Sequence, residues 1–245
     1  MTTDRAATMR ALHVPGKPLV LPNVWDAASA RAVRDAGFPA VATGSAAVAR
    51  VLGYDDGEQT PVAEMLAAVT RVARAVDVPV TADLERGYGL RPAELAERLA
   101  ETGAVGLNLE DTDPRTGELV DPGAQADYLA GVRAAGPELV INARVDVHVH
   151  GNASYAETVR RARRYLEAGA DCVYPIFLAD EDEIRTLVAE LGRPVNILAR
   201  PGAPDLSRLA ELGVARISFG SGIHNRVHAH AEKLLADLHA GATPF

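Results

Sequence analysis

The sequence predicts a single (β/α)8 barrel, and three observations indicate this fold class. Short β-rich runs alternate with longer helical runs along all 245 residues. Most of the short runs are continuously apolar, as expected for parallel strands that are covered on both faces. Four glycines, Gly37, Gly103, Gly169 and Gly213, each follow a helical run and precede a new strand. A doubly wound open sheet is the structural alternative.

Eight runs are predicted to be strands. They are residues 18–24, 40–45, 78–84, 105–110, 139–145, 172–177, 194–199 and 215–219. Pro92, in a first-turn position, indicates a helix over 92–102. Ser154, with a glutamate three residues later, indicates a capped helix over 154–168. The last helix is predicted over 221–238.

The segment 111–124 is polar and rich in turn-forming residues. It follows the fourth strand, on the side where (β/α)8 enzymes place their functional loops. We therefore expect one domain over residues 1–245, with 111–124 as a gating loop that closes over the active site. The first dozen residues are expected to form an extra helix at the opposite end.

Charge and composition exclude several classes of protein. The net charge of −8 and the pI near 5.4 argue against a nucleic-acid partner or an anionic membrane. A single cysteine, Cys172, excludes an internal disulfide and a cysteine-rich zinc site. No apolar run reaches membrane-spanning length, and the opening residues lack the core of a signal peptide. We therefore expect a cytoplasmic protein.

Acidic side chains follow the third and fourth predicted strands. Asp83 and Glu85 end the third strand on one side, Glu110 ends the fourth, and Asp56 can reach them from the loop after the second. Crowded carboxylates repel one another unless a cation or a proton separates them. Oxygen ligands without nearby Cys or His favour Mg²⁺, or Mn²⁺, over zinc. The alternative is that these acids cap helices or pair with arginines.

Arg144 ends the fifth strand. It can clamp a substrate carboxylate, or form a structural salt bridge with Glu110 or Asp146, and the two roles can coexist. After the second strand, the turn 44–46 (Gly-Ser-Ala) offers backbone N–H groups and a hydroxyl to an anionic ligand.

Two histidines of the last helix, His224 and His228, lie four residues apart. The residues between them lack the glutamate of a zincin motif. We therefore interpret both as solvated side chains.

Seven motifs, in this order, resemble the phosphoenolpyruvate mutase/isocitrate lyase superfamily. They are LPNVWDAASARAV, GSAAVA, LGYDD, TADLERGYG, NLEDT, NARVD and PVNILARPG. The resemblance extends from about Leu21 to Gly220. It implies a (β/α)8 barrel whose last helix is exchanged with a neighbouring subunit, and a homotetramer built as a dimer of dimers.

The resemblance also implies a role for each acidic residue. Asp83 corresponds to the aspartate that binds Mg²⁺ most directly. Asp56, Glu85 and Glu110 correspond to acids that hold the ion largely through water. Glu85 departs from the aspartate found in many relatives, and its longer side chain is expected to shift the ion or its waters.

A substrate site is implied in the same way. The Ser45 turn corresponds to the turn that binds the substrate carboxylate, Arg144 to an arginine that contacts the substrate, and Asn196 to a polar residue of some lyases. We expect catalysis from Arg144, Ser45 and Glu110. The expected substrate-binding residues are Thr43, Gly44, Ser45, Ala46, Asp83, Arg144 and Asn196.

Two departures separate this chain from the named activities. Isocitrate and methylisocitrate lyases carry a Lys-x-Cys-Gly-His motif after the fourth strand, whereas this loop reads TDPRTGELVDP, without Cys or His. Phosphoenolpyruvate mutases carry an aromatic residue before the Gly-Ser turn and an asparagine in the gating loop. Here Thr43 precedes the turn and the loop has no asparagine.

The sequence therefore predicts a Mg²⁺-dependent enzyme that acts on a small α-oxo acid through an enolate. C–C cleavage of an oxaloacetate-like substrate is favoured, because no basic cluster beyond Arg144 is evident for a phosphonate. One alternative is C–P chemistry on phosphoenolpyruvate or phosphonopyruvate. Others are a metabolite-binding relative without turnover, and a phosphate-binding barrel isomerase that uses Gly202 and residues 220–222.

Overall fold

The computed structural model describes residues 2–149 and 154–243, in which strands and helices alternate. The strands within these residues are β1 (Leu19–Leu21), β2 (Asn23–Val24), β3 (Val41–Thr43), β4 (Val80–Asp83), β5 (Gly106–Leu109), β6 (Val140–Val145), β7 (Cys172–Pro175), β8 (Asn196–Leu198) and β9 (Arg216–Ser218). The helices are α1 (Thr2–Ala11), α2 (Ala27–Asp35), α3 (Ser45–Leu52), α4 (Val62–Ala75), α5 (Pro92–Thr102), α6 (Pro122–Ala135), α7 (Tyr155–Glu167), α8 (Glu181–Leu191), α9 (Leu206–Glu211) and α10 (Gly222–His239).

All pairings between these strands are parallel. One sheet has the order β2-β3-β4-β5-β6-β7 and the other the order β1-β9-β8. Pro22 separates β1 from β2, and an isolated parallel bridge joins Val173 of β7 to Val195 beside β8. Each of the eight predicted strands is found, the first as β1 and β2 together. The architecture is a parallel α/β fold consistent with a TIM-like barrel.

The four glycines predicted to end helices all adopt left-handed backbone conformations. The φ angles of Gly37, Gly103, Gly169 and Gly213 lie between 84° and 104°. A side chain at such an angle would be strained, so these positions favour glycine. The chain can therefore leave each helix abruptly and enter the next strand.

The loop after β5 is shorter than the sequence predicts. The Asp121 side chain accepts hydrogen bonds from the N–H groups of Gly123 (2.8 Å) and Ala124 (3.0 Å). Pro122 occupies the first turn, where its missing N–H is not needed. Helix α6 therefore begins at residue 122, and the predicted loop 111–124 ends at residue 121.

Helix α1 covers the amino ends of the strands, as predicted for the first dozen residues. Its Ala6 and Met9 are buried in an apolar cluster with residues from the first halves of four strand regions. Burial of a methionine side chain contributes roughly 1.5–3 kcal/mol. This cluster seals one end of the molecule and leaves the carboxyl ends of the strands for a site.

The last helix, α10, keeps most of its side chains in solvent. Leu235 is 65% exposed and Leu238 is 49% exposed. Within the described part of the chain, no helix is long and apolar enough to cross a membrane.

His13 follows α1 and is buried at the amino end. Its Nδ1 donates a hydrogen bond to the carbonyl of Met9 at 2.8 Å. The pKa of His13 is lowered from 6.5 to about 4. Burial is the main cause, and the positive charge of Arg216 is the second.

We expect acidification to destabilise the protein partly through His13. Because its folded pKa lies below its unfolded pKa, the unfolded chain binds more protons between pH 6.5 and 4. Stability is therefore full above pH 6.5 and is lost as the pH falls towards 4, by roughly 3 kcal/mol at the limit. Urea unfolding at pH 7 and pH 4.5 should show a smaller loss in His13→Gln than in the wild type. Equal losses in both proteins would contradict this role.

Candidate active site

A cavity of about 380 Å³ opens at the carboxyl ends of the strands. Its polar wall includes Asn23, Ser45, Asp83, Asn108 and Arg144. A second cavity, of about 440 Å³, lies between α5 and α6, and small apolar side chains, mainly alanines, form most of its lining. Sites that bind small ligands combine an apolar pocket with a few convergent polar groups. The cavity at the carboxyl ends is therefore the candidate site.

Asp83, at the end of β4, is held from two sides. Its Oδ2 accepts hydrogen bonds from the Ser45 N–H (3.1 Å) and the Ser45 hydroxyl (3.0 Å). Its own N–H donates to Thr43 Oγ1 at 3.0 Å. Thr43 is fully buried, so the structure places this predicted substrate-binding residue behind Asp83 rather than in the cavity.

The Ser45 turn is the amino terminus of α3. Gly44 is the N-cap residue, and no side chain caps the helix there. The first intrahelical bond is from the Val48 N–H to the Gly44 carbonyl at 3.0 Å. N–H groups before that bond, such as that of Ala46, have no intrahelical partner and favour an anion. The turn thus has the geometry of an anion-binding helix terminus.

Arg144 forms the predicted salt bridge with both of the predicted acids. Its Nη1 lies 2.5 Å from Glu110 Oε2. Its Nε and Nη2 donate to the two carboxylate oxygens of Asp146 at 2.6 and 2.9 Å. Burial alone would lower the pKa of Arg144, but Glu110 and Asp146 raise it well above its usual value. Arg144 nevertheless lines the cavity, so the structural and substrate-binding roles remain compatible.

Glu85 does not line the cavity. It is 4% exposed, and its two oxygens accept hydrogen bonds from the Tyr88 hydroxyl (2.6 Å) and the Glu58 N–H (2.7 Å). Glu58 in turn accepts from the N–H groups of Arg86 (3.0 Å) and Tyr88 (2.6 Å). Burial raises the pKa of Glu85 to about 7. The two glutamates thus tie the loop between α3 and α4 to the loop after β4.

The backbone of these loops is strained at the same residues. The φ angles of Glu58, Glu85 and Tyr88 are 59°, 48° and 55°, in the left-handed region. Such conformations cost on the order of 1–3 kcal/mol each and are concentrated at functional sites. The reciprocal carboxylate bonds explain how the loops maintain them.

Asp56 lines the same cavity as Asp83 and is exposed at its rim. Partial desolvation raises the pKa of Asp56, and the negative charge of Asp83 is the second cause of the increase. In the described part of the chain, no three His, Cys, Asp or Glu side chains are arranged to hold one ion directly. Two carboxylates that line one cavity suit a hard cation such as Mg²⁺, which takes oxygen ligands and usually keeps several waters. Arg144 offsets part of their negative charge, but its direct ion pairs are with Glu110 and Asp146.

A buried polar layer lies beneath the cavity, around an arginine that sequence reasoning missed. Arg216 is fully buried, and its Nη2 donates to Asn108 Oδ1 at 3.1 Å. Asn142 Nδ2 donates to the same oxygen at 2.9 Å. Asn108 Nδ2 is thereby directed towards Asp83 Oδ1, 3.5 Å away. An arginine inside an otherwise apolar strand was the available signal.

Two further expectations are modified. Asn196 is fully buried and exchanges hydrogen bonds with Ser218 (3.2 and 3.3 Å), so only Ser218 of this pair lines the cavity. The solvated interpretation of His224 is wrong. The His224 side chain is buried. Its ring packs edge-on against the Trp25 ring, with the ring centres 4.9 Å apart, and its centre lies 4.2 Å from that of the His228 ring.

The opposite wall of the cavity was not anticipated. It is formed by apolar side chains after β7, β8 and β9, with Arg200 at its outer end. Arg200 follows β8 in the sequence and is a second guanidinium in the cavity. Sequence reasoning noted no basic cluster beyond Arg144, and the structure adds this one arginine to the cavity lining.

Comparisons with known proteins agree on one family. The family model described as phosphoenolpyruvate phosphomutase matches residues 9–239. An uncharacterized protein of Mycobacterium tuberculosis (strain ATCC 25618 / H37Rv) is 36% identical over 230 residues, which cover 92% of this chain and 88% of that protein. Oxaloacetate decarboxylase 1 of Pseudomonas fluorescens (strain Pf0-1) is 30% identical over 218 residues, covering 82% of this chain and 73% of that protein.

A crystal structure shows the same relationship. The crystallised protein comes from Burkholderia cenocepacia J2315, and its description as a phosphonomutase is an inference. The two chains are 41% identical and superpose with a TM-score of 0.92, over 97% of this chain and 99% of that one.

Proposed function

The chain belongs to the phosphoenolpyruvate mutase/isocitrate lyase superfamily, and we propose that it is a Mg²⁺-dependent lyase that cleaves a C–C bond in a small, oxaloacetate-like α-oxo acid through an enolate. One observation carries this proposal. A single cavity is lined by Asp56 and Asp83, by the amino terminus of α3, and by the guanidinium of Arg144. These are the groups needed to hold a hard cation and an organic anion side by side.

Each acidic residue has a distinct part in the proposed site. Asp83 would hold the ion directly, and Asp56 at the rim and Glu110 would hold it through water. Glu85, expected from the resemblance to act in the same way, does not line the cavity and would act only by holding the two loops together. The ion, when bound, supplies Lewis-acid polarisation of the α-oxo carbonyl. Mn²⁺ has the same preference for oxygen ligands and is expected to substitute.

The remaining residues bind and orient the substrate. Arg144 contacts the substrate carboxylate, and Glu110 keeps its guanidinium in place. The turn of Gly44, Ser45 and Ala46 presents N–H groups and the Ser45 hydroxyl to developing negative charge. Thr43 acts through the N–H of Asp83, and Asn196 through the side chain of Ser218.

We also propose that the fold is one closed barrel over residues 1–245. The loop after β5, shortened to residues 111–121, would close over the cavity and exclude water. Asp111 at its root is buried, while Asp113 and Arg115 beyond it reach solvent. A fixed root and an exposed tip are the features that a gating loop requires.

C–P chemistry is retained as the second candidate, because Arg200 adds a guanidinium for a phosphonate group. The name of the Burkholderia protein favours the same candidate, whereas that of the Pseudomonas decarboxylase favours C–C cleavage. A Mg²⁺-dependent assay separates them. Pyruvate released from oxaloacetate supports the first reaction, and phosphate released from phosphonopyruvate, or phosphoenolpyruvate formed from it, supports the second.

Asp83→Asn should abolish turnover of oxaloacetate while the fold remains intact. The substitution keeps the shape of the side chain and removes the charge of the direct ligand, so we expect kcat/KM to fall on the order of 10³-fold or more. The matched control is Asp77→Asn, at an exposed position before β4. Activity of Asp83→Asn within tenfold of the control would refute the assignment of this ligand.

We expect negligible lyase activity on isocitrate or 2-methylisocitrate. These cleavages need an acid to protonate the departing carbanion, and the loop after β5 has no thiol. Cys172 cannot substitute, because it is fully buried at the start of β7, and burial raises its pKa to about 12. Release of glyoxylate or pyruvate from either tricarboxylate near the ~10 s⁻¹ typical of enzymes would show that another residue delivers the proton.

The exposed leucines of α10 support a homotetramer in which this helix packs on a neighbouring subunit. Light scattering at micromolar concentration should report four chains. Leu235→Asp should shift the mass towards smaller species, because a charge would then lie in the apolar contact. A monomeric wild-type protein would contradict the proposal.

A further inference from the structure

The cavity extends beyond its polar wall along a second wall that the proposed reaction does not use. Tyr174 of β7, Ile176 just after that strand and Leu198 of β8 form a separate buried apolar cluster on this wall. A volume of about 380 Å³ has room for about a dozen waters at roughly 30 Å³ each. That is more space than a four-carbon acid fills.

Arg200 lies at the outer end of this apolar wall. Its guanidinium carbon is 5.3 Å from the centre of the Phe177 ring. Its Nη2 and Nη1 donate to the backbone carbonyls of Phe177 (3.1 Å) and Pro201 (3.2 Å). Both acceptors are neutral, and within residues 2–149 and 154–243 no carboxylate pairs with this guanidinium. A permanent positive charge therefore remains available at the rim.

Phe177 adopts an unusual backbone conformation to hold this arrangement. Its φ angle is 67°, in the left-handed region, and its side chain is 40% exposed. For a bulky residue this conformation costs on the order of 1–3 kcal/mol, and it persists where neighbouring contacts enforce it. Its carbonyl and its ring both contact Arg200, so the strained residue positions the guanidinium beside the cavity.

We propose that this wall is a second substrate subsite, in which Tyr174, Ile176 and Leu198 contact apolar carbons of the substrate and Arg200 binds a distal anionic group. The inference rests on the proposed function and narrows its substrate class. The substrate is an α-oxo acid with two anionic ends and apolar carbon between them. The head group lies at Arg144 and the α3 terminus, and the tail reaches the rim.

Pairs of 2-oxo acids that differ only in a terminal carboxylate test this subsite. 2-Oxopentanoate is paired with 2-oxoglutarate, and 2-oxohexanoate with 2-oxoadipate. Calorimetric dissociation constants are measured in saturating Mg²⁺ for the wild type, Arg200→Gln and Arg193→Gln. Arg193 is an exposed arginine before β8 that does not line the cavity, so it controls for loss of surface charge.

In the wild type, the diacid of the fitting length should bind at least tenfold more tightly than its monoacid partner. The ratio should fall to near one in Arg200→Gln and stay unchanged in Arg193→Gln. Arg200→Lys, which keeps the charge but loses the planar donor pair, should retain an intermediate ratio. Circular dichroism verifies that each variant is folded.

Three results would overturn the subsite. They are equal binding of diacid and monoacid at both lengths, no binding of any of these acids, or a diacid preference that survives in Arg200→Gln. Failure of the proposed function is separable from all three. A wild type that binds diacids selectively but cleaves neither oxaloacetate nor phosphonopyruvate would keep the subsite and remove the lyase assignment.

Discussion

Buried negative charge at the carboxyl ends of the strands is the constraint on which the site depends. Arg144 is held between Glu110 and Asp146. The Asp146 N–H donates to Asp111 at 2.8 Å, and Asp111 is itself paired with Arg161 of α7 at 3.0 Å. Removal of one partner from a buried ion pair typically costs 3–5 kcal/mol, because the other charge is left uncompensated. The arginine that lines the cavity is thus fixed by a chain of charges that extends into α7.

The same constraint explains why the polar wall is preorganised. Asp83 has its backbone N–H bonded to Thr43 and one carboxylate oxygen bonded twice to Ser45. Beneath it, Arg216 and Asn142 orient the Asn108 amide. A site whose side chains are locked by their neighbours pays little reorganisation free energy when charge develops on the substrate.

The sequence predicted the strands and the glycine-terminated helices well, because apolar runs and left-handed helix ends are local signals. The sequence also predicted that Asp56, Asp83 and Arg144 lie at one edge of the sheet, because the carboxyl ends of parallel strands meet there. The sequence could not assign on which face of the sheet a neighbouring polar residue lies. Thr43 and Asn196 lie behind the cavity, and the left-handed turn at Glu85 directs that carboxylate to Glu58.

Contacts between residues distant in the chain account for the other differences. His224 is buried by Trp25, about two hundred residues earlier in the chain, and no local pattern announces that contact. Arg200 lines the cavity because Phe177, from a different loop, supplies both a ring and a carbonyl.

The polar wall and the apolar wall of the cavity also differ in how much stability a substitution removes. The polar wall is tied into buried ion pairs, whereas Arg200 and Phe177 lie at an exposed rim where single changes disturb little else. Members of one family can therefore keep the chemistry of the polar wall and differ in substrate through the apolar wall.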